Sequence, residues 1–186
     1  MNTPSPEELR RNRRKLIMIA AVFLAPLMIA AGIGMTGWMP GTRGNGEPIE
    51  PQRSFVDVSL TLDDGSRYEW RDPVEPRFTL LALPGPSCEA RCREQLAMMR
   101  NARITMNQNM DRVRLIYLGD RAPVADALAP EWQVARDDDN RLAEFRPTGN
   151  DALSAILVQS NGTALSLYPD GFNPTGLRKD MKKVVK

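Results

Sequence analysis

Cys88 and Cys92 are the only thiols in this 186-residue chain, and three residues separate them, so they act chemically as one unit. A thiolate attacks disulfides and binds soft metal ions, so a close pair suits reversible thiol–disulfide exchange or Cu(I) binding. The inert alternative is a permanent disulfide, which an oxidising compartment would favour. As a staple it would be weak, because loop-closure entropy gives a five-residue ring about 2 kcal/mol against about 3 for fifteen residues. The chain contains no histidine. A Ser-His-Asp triad, a Cys-His nucleophile pair and a histidine-ligated metal therefore cannot be built from it.

The elements around the pair can be read outward from it. The apolar run RFTLLAL at 77–83, bounded by Pro76 and Pro84, suits a strand buried on both faces. PGPSC follows as a loop. Residues 89 to about 110 lack Gly and Pro, and Cys92, Leu96, Met99, Met106 and Met110 fall on one helical face. This methionine stripe reads as core filling rather than a copper ladder. VRLIYL at 113–118 is a second buried strand, which gives a parallel βαβ unit. In this arrangement the cysteines sit at a helix start, where backbone N–H groups stabilise an anionic sulfur. Arg91 and Arg93 add positive field, and Glu89 and Glu94 oppose it.

Before this unit, FVDVSLTL alternates with the period of a half-buried strand, and Asp64-Gly65 offers a tight turn into RYEW, which predicts an N-terminal β-hairpin. After it, 120–150 is the least legible stretch. It holds a short helix over 123–129, Trp132, and an acidic run, Asp137 to Asp139, that reads as a solvated turn, with a calcium site as the minor alternative. ALSAILVQ, the Asn161-Gly162 turn and TALSLY form an antiparallel strand pair. Asn173-Pro174 then caps and opens a basic final helix to Lys186. Strand, helix, strand, helix, two hairpin strands, helix is the order of a thioredoxin-like α/β fold.

The formal net charge of +2 hides basic clusters at both ends and a nearly balanced middle, so the composition argues against a nucleic-acid partner. Residues 1–15 form a basic tail containing Arg10, Arg11, Arg13, Arg14 and Lys15. The uncharged stretch at 16–38 is long enough to cross a hydrocarbon core of about 30 Å as one transmembrane helix, with Pro26 inside and Trp38 at its end. Basic residues before the span and Arg43 alone soon after it place the N-terminus in the cytoplasm. The expected location is a bacterial inner membrane with the C-terminal domain in the periplasm. The rival reading is a cleaved signal peptide, whose apolar core usually runs only about 7 to 15 residues. Gly- and Pro-rich residues 39–53 read as a flexible linker, and 54–186 as one periplasmic domain.

The CxxxC of Cys88-Glu89-Ala90-Arg91-Cys92, placed between a buried strand and a helix, is similar to that of the Sco (SCO/SenC) family of thioredoxin-fold copper chaperones. LIYLGD and ILVQSNGTALSLY extend the resemblance over roughly residues 54–183. That family assists assembly of cytochrome c oxidase. The resemblance implies an assembly factor whose partners are an oxidase subunit or another assembly factor, and the chemistry expected of it is thiol–disulfide exchange with Cys88 as the more exposed attacking sulfur and Cys92 resolving from the helix. The family's copper site uses two cysteines and a histidine just before the late strand, a position that falls near Asp151 here. A carboxylate is a hard ligand and does not replace imidazole for Cu(I), so Cys88 and Cys92 would hold the ion as two thiolates, with or without help from a methionine that the sequence does not identify. The family's proline within the motif is replaced by Glu89. Two rivals stand beside this reading: a non-catalytic scaffold of the same fold with an inert disulfide, and a general periplasmic thiol reductase.

Overall fold

The structure is a computed structural model that describes residues 6–36, 44–126, 128 and 130–185. Two compact units emerge, Met1–Arg43 and Gly44–Lys186. The described residues of the first form α1 (Pro6–Thr36), which carries Pro26 in its interior. Its apolar side chains, Leu16, Ile17, Phe23, Leu24, Leu27 and Ile29 among them, are mostly uncovered. Among the described residues no helix is long and apolar enough to cross a membrane. The expected span includes Ala30 and residues 33–36, whose side chains are not described, and Trp38 lies outside the described residues.

The second unit is built on a seven-stranded sheet. Its strands are β1 (Glu47–Pro48), β2 (Leu60–Leu62), β3 (Phe78–Pro84), β4 (Val113–Leu118), β5 (Trp132–Asp137), β6 (Leu153–Val158) and β7 (Ala164–Tyr168). Across the sheet they run β1-β7-β6-β3-β4-β5-β2. Central β3 pairs parallel with β4 and antiparallel with β6, and β4 pairs parallel with β5. The continuous apolar runs of β3 and β4 follow from this position, since both of their faces are covered. Leu80, Ala82, Leu115 and Tyr117 face a cluster completed by α2 (Ala90–Ile104) and α3 (Pro174–Val184). Leu81, Leu83, Ile116 and Leu118 face the opposite cluster, closed by Phe55, Val58, Tyr68 and Trp70. The resulting α/β arrangement is thioredoxin-like.

The N-terminal β-hairpin needs correction. Of FVDVSLTL only Leu60–Leu62 is strand, and it pairs antiparallel with β5 at the sheet edge. Phe55 and Val58 lie over the sheet face as a plug, with Trp70 Nε1 donating to Val58 O at 2.8 Å. The Asp64-Gly65 turn does form, with Gly65 at φ +82°, but RYEW contributes one bridge, Thr61 to Arg67, rather than a strand.

Three other boundaries moved. α2 stops at Ile104, and a 3-10 segment, Asn107–Arg112, starts where Asn107 takes a left-handed φ of 52°, which leaves Met110 half exposed. The short helix expected at 123–129 reduces to a 3-10 turn, Ala122–Val124, and residues 127 and 129 lie outside the described residues. The linker expected to run to residue 53 gives way at Gly44, because β1 pairs antiparallel with β7 at the far edge of the sheet.

The last helix follows its sequence signals. Asn173 Oδ1 accepts from the Thr175 amide at 2.9 Å and Pro174 opens the helix, while Leu177, Asp180 and Met181 turn inward.

Candidate functional site: a disulfide at the first βα junction

Cys88 and Cys92 are joined as a disulfide with Cα atoms 5.1 Å apart. Cys88 ends the loop that leaves β3, and Cys92 lies in the first turn of α2. Their exposures differ in a way that decides access: Cys88 is 8% exposed and Cys92 0%. Beside Cys88 opens a cleft of about 460 Å³, lined by Pro84, Pro86, Glu89, Tyr117, Asp120 and Arg146 among others. Cys88 thus borders the cleft, whereas Cys92 is fully enclosed, and both belong to the core cluster that includes Leu96 and Met99.

The loop is held by its contact with the segment before β6. Gly85 N donates to Ala152 O at 2.9 Å, and a Cβ at Gly85 would stand 2.3 Å from Gly149 O, so only glycine lets the two chains approach this closely. Arg146 Nη1 reaches Pro84 O at 3.3 Å across one wall of the cleft. Burial pushes the Tyr117 hydroxyl up to about 12, with Asp120 adding to the rise and Arg146 opposing it. Tyr117 is thus a neutral phenol at any physiological pH.

Asp151 organises the other side of the junction. Its carboxylate accepts from the backbone amides of Glu89 at 2.6 Å, Arg91 at 2.9 Å and Cys92 at 3.0 Å. Those amides are among the orphan donors of α2, whose own N-cap residue, Glu89, supplies no side-chain bond. Asp151 sits at φ 53°, a left-handed conformation that aspartate tolerates better than most residues, and its own amide donates to Ser87 Oγ at 3.1 Å. The Cys92 amide foremost, followed by those of Arg91 and Glu89, holds the Asp151 carboxyl below the usual range against a partial desolvation effect. Asp170 completes the web, pairing with Arg91 at 2.6 Å and accepting from Leu153 N at 3.1 Å.

Both cysteines come together as the spacing requires, but the expected source of thiolate stabilisation is altered. The amides that would face a sulfur anion already bind a carboxylate. Arg91 is engaged by Asp170, and Arg93 Nε folds back onto Glu89 O at 3.0 Å, so only Arg91 shares its charge with a carboxylate. Sequence reasoning marked Asp151 as the position of a missing ligand and missed its capping role. No local pattern could reveal that role, because the bonds join residues about sixty apart in the chain.

The same geometry tests the copper site that the Sco resemblance implies. The third donor would be Asp151, a hard carboxylate already committed to three amides. Among the described residues no group of three or more His, Cys, Asp or Glu is arranged to hold a metal ion. The donor set does not fit the three-ligand site. The acidic run behaves as a bonded turn: Asp137 Oδ2 accepts from Leu142 N at 2.7 Å and Asp138 Oδ2 from Thr61 Oγ1 at 2.6 Å.

A dicysteine at the first βα junction of a mixed sheet, backed by one helix on the same face, defines a thioredoxin-like protein. The chain belongs to the family described as "transmembrane-like, thioredoxin-like, C-terminal domain", whose model matches residues 78–186, more than half of its length. Among solved structures it is similar to copper-bound yeast Sco1, with TM-score 0.54 and 10% identity over 77% of this chain and 93% of that one. It is also similar to apo Sco1 from Thermus thermophilus, with TM-score 0.53 and 13% identity over 78% and 99%. A third likeness is to BsSco, a member of the Sco family of cytochrome c oxidase assembly proteins in which a disulfide switch was identified, with TM-score 0.50 and 16% identity over 75% and 99%. At these identities the likeness establishes the fold. No curated protein matches the chain.

Proposed function

We propose that this chain is a membrane-anchored, exported thioredoxin-like assembly factor that exchanges thiols and disulfides at Cys88 and Cys92 in the maturation of cytochrome c oxidase. The observation that carries the chemical part is the disulfide at the β3–α2 junction, with Cys88 facing a cleft and Cys92 closed off. A client thiolate attacks the Cys88 sulfur and forms a mixed disulfide, and the electron pair leaves on Cys92. A second client thiolate then attacks the client sulfur of the mixed disulfide and releases Cys88. The client dithiol is oxidised to a disulfide, the protein is reduced to a dithiol, and two electrons and two protons move between them. The reverse sequence reduces a client disulfide.

The oxidase client is supported by the likeness to Sco proteins alone. The anchor is supported by the uncharged stretch inside α1 and its uncovered apolar side chains, which water would disfavour and lipid would not. Copper is left out of the proposed step because the donor set does not fit.

The burial of both sulfurs favours a second reading, a scaffold with an inert disulfide. Replacing both cysteines by serine in cells separates the two. Exchange predicts lost oxidase activity with the protein still in membranes after an alkaline carbonate wash. Unchanged oxidase activity supports the scaffold, and loss of the protein from washed membranes refutes the anchor.

A further inference from the structure

We propose that Asp151 is a positioning residue that sets the redox poise of the Cys88–Cys92 couple, holding it toward the disulfide and making it a weak oxidant. This inference rests on the exchange reading above and extends it to the direction of electron flow. Backbone N–H groups converge at the start of α2, and in a bare dicysteine site they would stabilise a thiolate at the attacking cysteine. Stabilising the reduced form in this way is what makes a dithiol couple strongly oxidising.

Here the Glu89, Arg91 and Cys92 amides are spent on the Asp151 carboxylate instead. A fixed negative charge stands where the sulfur's negative charge would be favoured, and like charges at close range disfavour each other. Of the neighbouring cations, Arg91 pairs with Asp170, and Arg93, which bonds the neutral Glu89 O, offsets the field only in part. Glu89 adds further negative charge on the exposed side. The disulfide and the protonated dithiol carry no charge, so the effect falls on the thiolate form of the reduced pair. The couple should accept electrons reluctantly and, once reduced, donate them readily to a client disulfide.

The test is the equilibrium between the protein disulfide and dithiothreitol at pH 7, using the full chain, with Asp151→Asn and Asp151→Ser as variants. Both substitutions remove the charge, and each keeps one oxygen able to accept from these amides. The expected result is a shift of about tenfold toward the protein dithiol in both variants, equivalent to about 30 mV for a two-electron couple. The pH midpoint at which reduced Cys88 becomes reactive toward iodoacetamide should also fall in the variants, whereas a loosened loop would raise the rate at every pH without moving the midpoint. An unchanged or lower dithiol fraction in the two folded variants overturns the proposal while leaving exchange intact. A wild-type disulfide that does not equilibrate with dithiothreitol until the protein unfolds overturns the exchange reading and this proposal together.

Discussion

Asp180→Ala should detach the first strand of the domain and lower its stability by about 3 kcal/mol. Asp180 lies on α3, is 6% exposed, and accepts from Asn45 N at 2.5 Å, Asn45 Nδ2 at 2.9 Å, Gly46 N at 3.1 Å and Tyr168 hydroxyl at 3.1 Å. Hydrogen bonds to a charged group contribute about 1.5 to 3 kcal/mol each, and a shared acceptor makes them strongly non-additive, so the total is far below four times that value. Lys183, at 3.5 Å and itself exposed, adds little. The segment cannot simply settle elsewhere, since a Cβ at Gly46 would stand 2.8 Å from the Tyr168 ring and one at Gly176 2.6 Å from Asn45 Cβ.

The bonds from Asn45, Gly46 and Tyr168 lower the Asp180 carboxyl from its ordinary value, outweighing burial, which is the largest single influence and acts in the opposite direction. A depressed folded-state value means that the stabilisation is fully present above the unfolded value, near 4, and is lost as pH falls through the folded one. Guanidinium titrations of wild type and Asp180→Ala at pH 7 and at stepped acidic pH measure the difference directly. Limited proteolysis should show new cleavage near residues 44–48 in the variant. A difference under about 1 kcal/mol at pH 7, or one that stays constant into acid, refutes the clasp.

Leu96 is fully buried between Cys92 and Met99 on α2, so Leu96→Ala should cost about 2 to 5 kcal/mol by denaturant titration, and a loss under 1 would mean the helix face packs loosely. Gly85→Ala forces a Cβ against Gly149 O, so the loop must move. Native-state reduction of the disulfide should change in rate in that variant, and an unaltered rate with unaltered stability would show that the loop is not constrained as described. Cys92→Ser buries a hydroxyl at a fully enclosed site and should destabilise more than Cys88→Ser, by about 1 to 3 kcal/mol in urea; equal values would contradict the difference in burial.

How far the sequence could be read depended on whether a residue's partners were local. β3 and β4 were legible because strands covered on both faces are predominantly apolar, with Thr79 and Arg114 as the polar exceptions, and α3 because Asn173-Pro174 signals its start within three residues. β5 was not recognised: it mixes Trp132, Val134 and Ala135 with Gln133, Arg136 and Asp137, because its short partner β2 leaves part of it wet. Phe55 and Val58 mimicked a strand because period-2 burial also arises in an extended segment lying across a sheet face. The strap at 44–48 looked like linker because the groups that fix it, Asp180 and Tyr168, lie more than 100 residues away. The cysteine pair was legible from spacing alone, whereas the charge placed against it by Asp151 was a tertiary fact.

The central claim, a disulfide open to exchange through one sulfur, is tested most directly by reducing the folded protein. The full chain is treated with dithiothreitol under native conditions, quenched with a mass-tagged alkylating agent, and sampled alongside a spectroscopic probe of unfolding. Reduction well ahead of unfolding, with Cys88 tagged before Cys92, is the predicted result. Reduction that keeps pace with unfolding, or equal tagging of the two sulfurs, would contradict it.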